Sequence, residues 1–242
     1  MVGVVLVGAG AGKRLGYKKP KAFVQVAGRQ LLSYVLETFS SVPSIREIVL
    51  VVPPPYLKIK KRILSRWPCV RKVVGGGQER YHSVWQGLKN LSPRCDIVLI
   101  HDVARPMAGK KLIEQVIRTT TEKGACVPAV PVTDTIKRIQ HNIVRATIPR
   151  EGLVAVQTPQ GFRRQLLEKA FSWAKRTGVY GSDDSFLVEQ LGFPVKVISG
   201  DFTNIKVTTP YELALVRFFL RRYRSVEKEK EKNAGKIWRD LS

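Results

Sequence analysis

Between Val4 and Lys21 the chain reads VVLVGAGAGKRLGYKKPK. An apolar run, Val4 to Val7, opens into a stretch holding Gly8, Gly10, Gly12 and Gly16, and Lys13, Arg14, Lys18, Lys19 and Lys21 fall in the same place. Glycines let backbone N–H groups approach phosphate oxygens because no Cβ intervenes. The cations add charge-assisted donors. Together they suit a polyphosphate cradle. It is not a P-loop: Gly12-Lys13 fits the end of that motif, but Val7 stands at its first glycine and Arg14 replaces the hydroxyl residue that holds magnesium. It is not a dinucleotide fingerprint either, since Leu15 occupies the third glycine position. Glycine and lysine alone would also fit a tight βα turn with solvated lysines, so the assignment rests on what else converges.

Two further stretches do. Gly75-Gly76-Gly77-Gln78-Glu79-Arg80, with Ser83, follows a strand-like stretch at 70–74 and opens a helical pattern. His101-Asp102-Val103-Ala104-Arg105-Pro106 follows the apolar run 96–100. A carboxylate at the tip of a buried strand is costly unless it meets a cation or hydrogen-bond donors. Asp102 can hold Mg2+ against phosphates, accept from a substrate hydroxyl, or simply pair with Arg105. His101 reads as a satisfied packing histidine rather than a base.

These stretches must be positioned by something. Strand-like runs alternate with helix-like periodicity, which predicts an α/β fold: a Rossmann-like, mostly parallel sheet with helices on both faces. Helices are expected over 30–39, 57–66, 109–123, 166–175 and 210–222, and strands at 48–52, 70–74, 96–100 and 125–130. Short strands are expected at 195–198 and 204–207, and Ser182-Asp183-Asp184 reads as a helix-capping cluster. In open α/β sheets ligands gather beyond the carboxyl ends of the strands. The rhythm breaks at 133–150. Thr133–Arg138, a turn at His141-Asn142 and Ile143–Ile148 predict a β-hairpin arm, projecting over about 133–152. Such an arm has little core of its own, so it should pack on another surface, most simply a second subunit. The expected organisation is one domain over 1–222 and a charged tail over 223–242.

Composition bounds the function. The chain has 242 residues, enough for one α/β core, and 44% hydrophobic and 25% charged residues, both ordinary globular values. No apolar run reaches the ~20 residues of a membrane span, and the start shows no signal-peptide pattern. Three scattered cysteines give no metal spacing and fit a reducing cytoplasm. Forty-two Lys+Arg against 19 Asp+Glu give +23. That charge attracts polyanions, so a nucleic-acid-binding module is the rival class. The basic residues are spread along the chain and bring no recognition motif, which argues against a specific nucleic-acid partner.

Seven motifs in order carry a resemblance: Ala9–Arg14, Pro20-Lys21, Gly76–Arg80 with Ser83, His101–Pro106, Asp134–Lys137, Thr158-Pro159-Gln160, and Asn204–Thr208. From Val4 to about Leu220 the chain resembles the 2-C-methyl-D-erythritol 4-phosphate cytidylyltransferases, nucleotidyltransferases of the non-mevalonate isoprenoid pathway. The resemblance implies transfer of CMP from CTP to a polyol phosphate, with Mg2+ as cofactor, by a cytoplasmic homodimer. It implies that Gly8, Ala9, Gly10 and Gly12 wrap the triphosphate, with Arg14 and Lys21 as catalytic cations. Gly77, Gln78, Ser83 and Ala104 would line the cytidine pocket. Asp102 would serve the metal and the polyol, and Arg105, Ser182 and Lys206 would hold the second substrate. Thr135 and Arg150 would reach that substrate from the neighbouring subunit. Four positions depart from the family pattern, which usually has Ala at Gly8, Asp at Gln78, Thr at Ser182 and Asp at Pro149. A cytidylyltransferase for another polyol phosphate, such as ribitol 5-phosphate, would share most of these motifs.

The chemistry needs no nucleophilic side chain. A phosphate monoester has a second pKa near ~6 and is largely dianionic at neutral pH, so it can attack an α-phosphate unaided. The obstacle is bringing two polyanions together, which calls for positioned Lys, Arg and Mg2+.

Overall fold

The computed structural model describes residues 1–10, 12, 15–17 and 19–222. Arg14, with Ala11, Lys13 and Lys18, and the charged tail at 223–242 lie outside them. The chain runs β1 (Val2–Val7), a small hairpin of β2 (Gln25–Val26) and β3 (Arg29–Gln30), α1 (Leu31–Ser40), β4 (Ile45–Val52), α2 (Lys60–Arg66), β5 (Val70–Gly75), α3 (Arg80–Asn90), β6 (Ile97–Asp102), α4 (Lys110–Lys123) and β7 (Ala125–Pro131). It continues through β8 (Ile136–Gln140), β9 (Ile143–Ile148), β10 (Val154–Val156), β11 (Gln160–Arg163), α5 (Arg164–Thr177), α6 (Asp184–Glu189) and β12 (Lys196–Ser199). Residues 210–222 form a closing helix, α7.

The main sheet has eight strands in the order β10-β7-β11-β6-β1-β4-β5, with β12 also on β7. β1 pairs in parallel with β4 on one side and β6 on the other. The chain therefore leaves β1 in one direction and later returns to its other flank, which makes a crevice at the carboxyl end of β1. The β1, β4 and β6 cores are apolar on both faces, as strands covered twice must be. Alternation sorts them: Val4, Leu6, Ile48, Leu50 and Leu99 pack with α1, α2 and α4. Val5, Val49, Val51, Val98 and Ile100 pack with α3, α5 and α6. Helices thus lie on both faces, as the periodicity predicts. A third cluster sets Leu213, Val216 and Leu220 of α7 against Val24, Val26 and Leu31.

Three elements differ from the sequence expectation. The helix expected from 57 begins at Lys60, because the prolines at 53–55 lead first into a 3-10 stretch, Pro54–Ile59. Residues 204–207 are not a strand. Their polar groups are satisfied elsewhere: Asn204 Nδ2 donates to Thr158 O at 2.9 Å, Arg105 donates to Asn204 O at 2.7 Å, and the Val207 N–H reaches Ala104 O at 2.8 Å. The segment around Thr158-Pro159 supplies two strands, β10 and β11, that the apolar patterning does not flag. Val156 pairs with Ala129 and Gly161 with Cys126, so five residues of advance on one side match three on the other. The two extra residues bulge out and deliver Gln157 to Gln160 toward the site.

The arm is present as a separate two-stranded sheet of β8 and β9. Its turn residues His141 (φ 49°) and Asn142 (φ 63°) both have positive φ, the geometry of the two-residue turn that matches strand twist. Apolar residues near its tip face solvent: Ile139 is 61% exposed, Ile143 56% and Val144 57%.

Candidate active site

Three strand ends build the site. β1 delivers Gly8 to Gly12; the Gly8 N–H is fixed to Val51 O at 2.8 Å. Gly12 has φ 72°, and a Cβ there would crowd the Lys21 side chain, so glycine is what lets the loop turn back over Lys21. β5 delivers Gly76 to Arg80. A Cβ on Gly76 would overlap both the Ala9 Cβ and Ser83 Oγ, so the two glycine loops lie in direct contact. Ser83, almost fully buried, accepts from the Gly77 N–H at 3.2 Å and donates to Glu79 O at 3.3 Å. Its hydroxyl shapes the loop that precedes it. Glu79 caps α3 with its side chain. β6 delivers Asp102.

Between these ends lies a cavity of about 420 Å³. It is lined by Gly8, Ala9, Gly10, Gly12 and Lys21 from the first loop, by Gly77, Gln78 and Ser83 from the second, and by Ala104 after β6. A second cavity of about 410 Å³ adjoins it and is lined by Arg105, Gln157, Gln160 and Ser182, among others. Arg80, Asp102 and Lys206 line both. Nearly all the residues singled out in the sequence are therefore brought to two adjoining cavities. Thr135 and Arg150 are not. They are exposed at the base of the arm and line neither cavity; Arg150 donates to Thr133 O at 2.6 Å.

The shared wall is an ionic chain. Asp102 Oδ1 accepts from Arg80 Nε at 3.2 Å and Oδ2 from Lys206 Nζ at 2.6 Å, while the Asp102 N–H donates to Thr158 Oγ1 at 3.1 Å. Burial alone would push the Asp102 carboxyl up, but Arg80 and Lys206 outweigh it and hold it well below the usual carboxylate range. Arg80 in turn donates through Nη2 to Asp184 Oδ2 at 2.7 Å. Burial works against the Arg80 charge, yet Asp184 and Asp102 hold it firmly protonated. Burial lifts the Asp184 carboxyl above its ordinary value against the pull of Arg80. The pairing of Asp102 with Arg105 considered from sequence is not made. Arg105 bonds backbone carbonyls instead, Asn204 O at 2.7 Å and Val156 O at 3.3 Å.

His101 is fully buried, hydrogen-bonded to Thr158 Oγ1 at 3.0 Å and Arg105 O at 3.1 Å, and packed at 4.7 Å on the Phe39 ring. Burial lowers its pKa to about 4, so it is neutral and structural, as its sequence position suggests. The Cys95 and Cys126 thiols are pushed up to about 11 by burial and are poor nucleophiles.

Sequence reasoning assigned no role to Arg80 and missed Asp184 and Gln160. Ser182-Asp183-Asp184 does begin a helix, but only Asp183 caps it, accepting from the Phe186 N–H at 3.1 Å. Asp184 turns inward to Arg80, 104 residues away. Gln160 Oε1 accepts from the Asp184 and Ser185 N–H groups at 3.2 Å each, and its amide donates to Asp183 at 2.6 Å. No spacing in the sequence marks these pairs.

A glycine-walled cavity next to a second polar cavity, joined by fixed cations and one strand-tip carboxylate, defines a nucleotidyltransferase of the α/β type. The family model described as 2-C-methyl-D-erythritol 4-phosphate cytidylyltransferase matches residues 2–222, and the chain belongs to that family. It is 42% identical over 219 residues to the protein of that name from Geobacillus thermodenitrificans, covering 89% of this chain and 95% of the relative. Against the one from Caldanaerobacter subterraneus it is 38% identical, over 91% of this chain and 99% of the other. Among solved structures it resembles the 4-diphosphocytidyl-2C-methyl-D-erythritol synthase of Anaerococcus prevotii, with a TM-score of 0.81, 32% identity, and 91% and 96% of the two chains covered.

Proposed function

We propose that this chain transfers CMP from CTP to 2-C-methyl-D-erythritol 4-phosphate, giving 4-diphosphocytidyl-2-C-methyl-D-erythritol and pyrophosphate. The observation that carries the reading is the pair of adjoining cavities with a common cationic wall. The reaction needs two polyanions side by side, and Arg80 and Lys206 front both cavities. The names of the relatives support methylerythritol phosphate over another polyol phosphate.

In this reading Gly8, Ala9, Gly10 and Gly12 receive the triphosphate, with Lys21 and Arg14 as the cations on the transferring group. Gly77, Gln78, Ser83 and Ala104 face the nucleoside. Arg105, Ser182 and Lys206 hold the polyol phosphate, whose dianionic phosphate attacks the α-phosphorus as pyrophosphate leaves. Bound cations oppose the repulsion between the two substrates and stabilise charge on the transferring phosphoryl group.

Magnesium fits the donor set. Among the described residues no cluster of three His, Cys, Asp or Glu side chains could hold a metal alone. Mg2+ in nucleotide sites commonly uses one or two carboxylates and completes its shell with phosphate oxygens and water. Asp102, ionised and open to both cavities, is such a carboxylate. A magnesium ion there would neutralise phosphate oxygens. Lys206, whose side chain is 41% exposed, would then move from Asp102 to substrate.

The arm supports a homodimer in which Thr135 and Arg150 enter the neighbour's second cavity, because its exposed Ile139, Ile143 and Val144 call for a partner surface. Residues 1–222 would act as one domain. No helix among the described residues is long and apolar enough to cross a membrane. Pyrophosphate release should require CTP, methylerythritol phosphate and Mg2+ together. Equal turnover with ribitol 5-phosphate, or full turnover in EDTA, would overturn the substrate or the metal assignment respectively.

A further inference from the structure

Arg80 and Tyr81 are neighbours at the start of α3, and each holds a residue of the segment that leads into α6. Arg80 pairs with Asp184 at 2.7 Å. The Tyr81 ring stacks on Tyr180 with centroids 3.7 Å apart and planes 20° from parallel. Tyr180 and Asp184 lie two residues to either side of Ser182, an exposed residue that lines the second cavity. The segment 178–182 has no regular secondary structure. The two contacts differ in kind. Asp184 is almost fully buried, its side chain 2% exposed. Tyr180 is 38% exposed, and one face of its ring is covered by Tyr81.

We propose that Arg80 and Tyr81 form a clasp that positions the Ser182 segment for the second substrate, with Tyr81, Tyr180 and Asp184 as positioning residues. The inference rests on reading the second cavity as the polyol phosphate site. A loop free to move pays an ordering cost on binding, and a loop fixed beforehand does not. Pinned on both sides, Ser182 presents its hydroxyl to the cavity before substrate arrives. Asp184 is joined to Asp102 only through Arg80, so its loss disturbs the wall, whereas loss of the tyrosine stack disturbs the segment alone.

The test is steady-state kinetics of Tyr180→Ala, a change at a partly exposed ring that leaves the core untouched, with Tyr180→Phe as the conservative control. Releasing the segment should raise KM for methylerythritol phosphate about five- to tenfold, the loss expected when one hydrogen bond is no longer held in place. KM for CTP should stay within about twofold, since the first cavity has no contact with Tyr180. Tyr180→Phe keeps the ring stack and should restore the wild-type KM. Ser182→Ala in the Tyr180→Ala background should add little, because both changes remove the same contact. Asp184→Asn supplies a second route, with melting temperature measured to separate lost folding from lost positioning. Unchanged KM for methylerythritol phosphate in Tyr180→Ala, an equal rise for both substrates, or full additivity with Ser182→Ala would overturn the clasp. Wild-type protein that releases no pyrophosphate with methylerythritol phosphate would instead overturn the assignment of substrate.

Discussion

Asp102→Asn is the most informative single change. The amide keeps the shape of the carboxyl and removes its charge, so it mimics the protonated acid. Removing one partner of a buried ion pair generally costs about 3–5 kcal/mol, because the other charge is left uncompensated. Here both orphaned cations have recourse. Arg80 keeps Asp184 at 2.7 Å, and the Lys206 side chain, 41% exposed, can turn to water. The loss at neutral pH without substrates should therefore be nearer ~2 kcal/mol. For a chain of this length each kcal/mol moves Tm by about 2–4 °C, so Tm should fall by ~4–8 °C. The pH dependence carries the sharper content. Asp102 has a carboxyl depressed below its unfolded value of about 3.9. Its stabilisation is complete above that unfolded value and is lost as pH falls through the depressed one. The gap between wild type and Asp102→Asn should thus be constant from pH 7 to about 5 and narrow progressively from about 4 downward, where the unfolded chain takes up a proton at Asp102 that the folded state still excludes. Thermal unfolding followed by circular dichroism over pH 3–7 measures this. A gap that widens in acid, or no gap at neutral pH, would refute the ionic account of the shared wall.

Lys21→Ala and Arg14→Ala should each lower kcat by roughly 10²–10³ with the circular dichroism spectrum unchanged, the usual cost of losing a preorganised charge donor. If Arg150 serves the neighbouring subunit, mixing Arg150→Ala with Arg14→Ala protein should give mixed dimers with one intact site, and activity should recover to about a quarter of wild type, assuming free exchange and independent sites. An Ile139→Asp, Val144→Asp double variant should sediment as a monomer with little turnover, since it puts charge on the apolar face of the arm. Binding to nucleic acid should be weak, salt-sensitive and without sequence preference; a gel shift that survives physiological salt and selects a sequence would contradict that.

Much of this was legible in the chain. β1 and the 48–52 part of β4 are buried on both faces and show as apolar runs. The arm shows because His141-Asn142 separates two alternating stretches. Asp102 shows because a carboxylate ends a run that is otherwise apolar. What stayed hidden depends on contacts between distant segments. Nothing local separates Asp183, which caps its own helix, from Asp184, which crosses to Arg80; both follow Ser182 as acids at a helix start. Gln160 is buried because three groups of the α6 entrance bond to it, and those partners lie 23–25 residues on. Residues 204–207 have the β-branched and apolar composition of a strand, yet Asn204 and its carbonyl are taken by Gln157, Thr158 and Arg105. The arm residues Thr135 and Arg150 line neither of the two cavities, so the role proposed for them depends on a partner surface.

The contact between the two glycine loops has a consequence for anyone redesigning this enzyme. Gly76 leaves no room between Ala9 and Ser83, so the walls facing the nucleotide cannot be altered one at a time. A side chain introduced at position 76 to reshape the proposed nucleoside side would push Ala9 out of line on the proposed triphosphate side. Libraries aimed at a different nucleoside triphosphate should therefore vary positions 9, 76 and 83 as a set. A single-site scan at position 76 will score as uniformly harmful even where a compatible triple replacement exists.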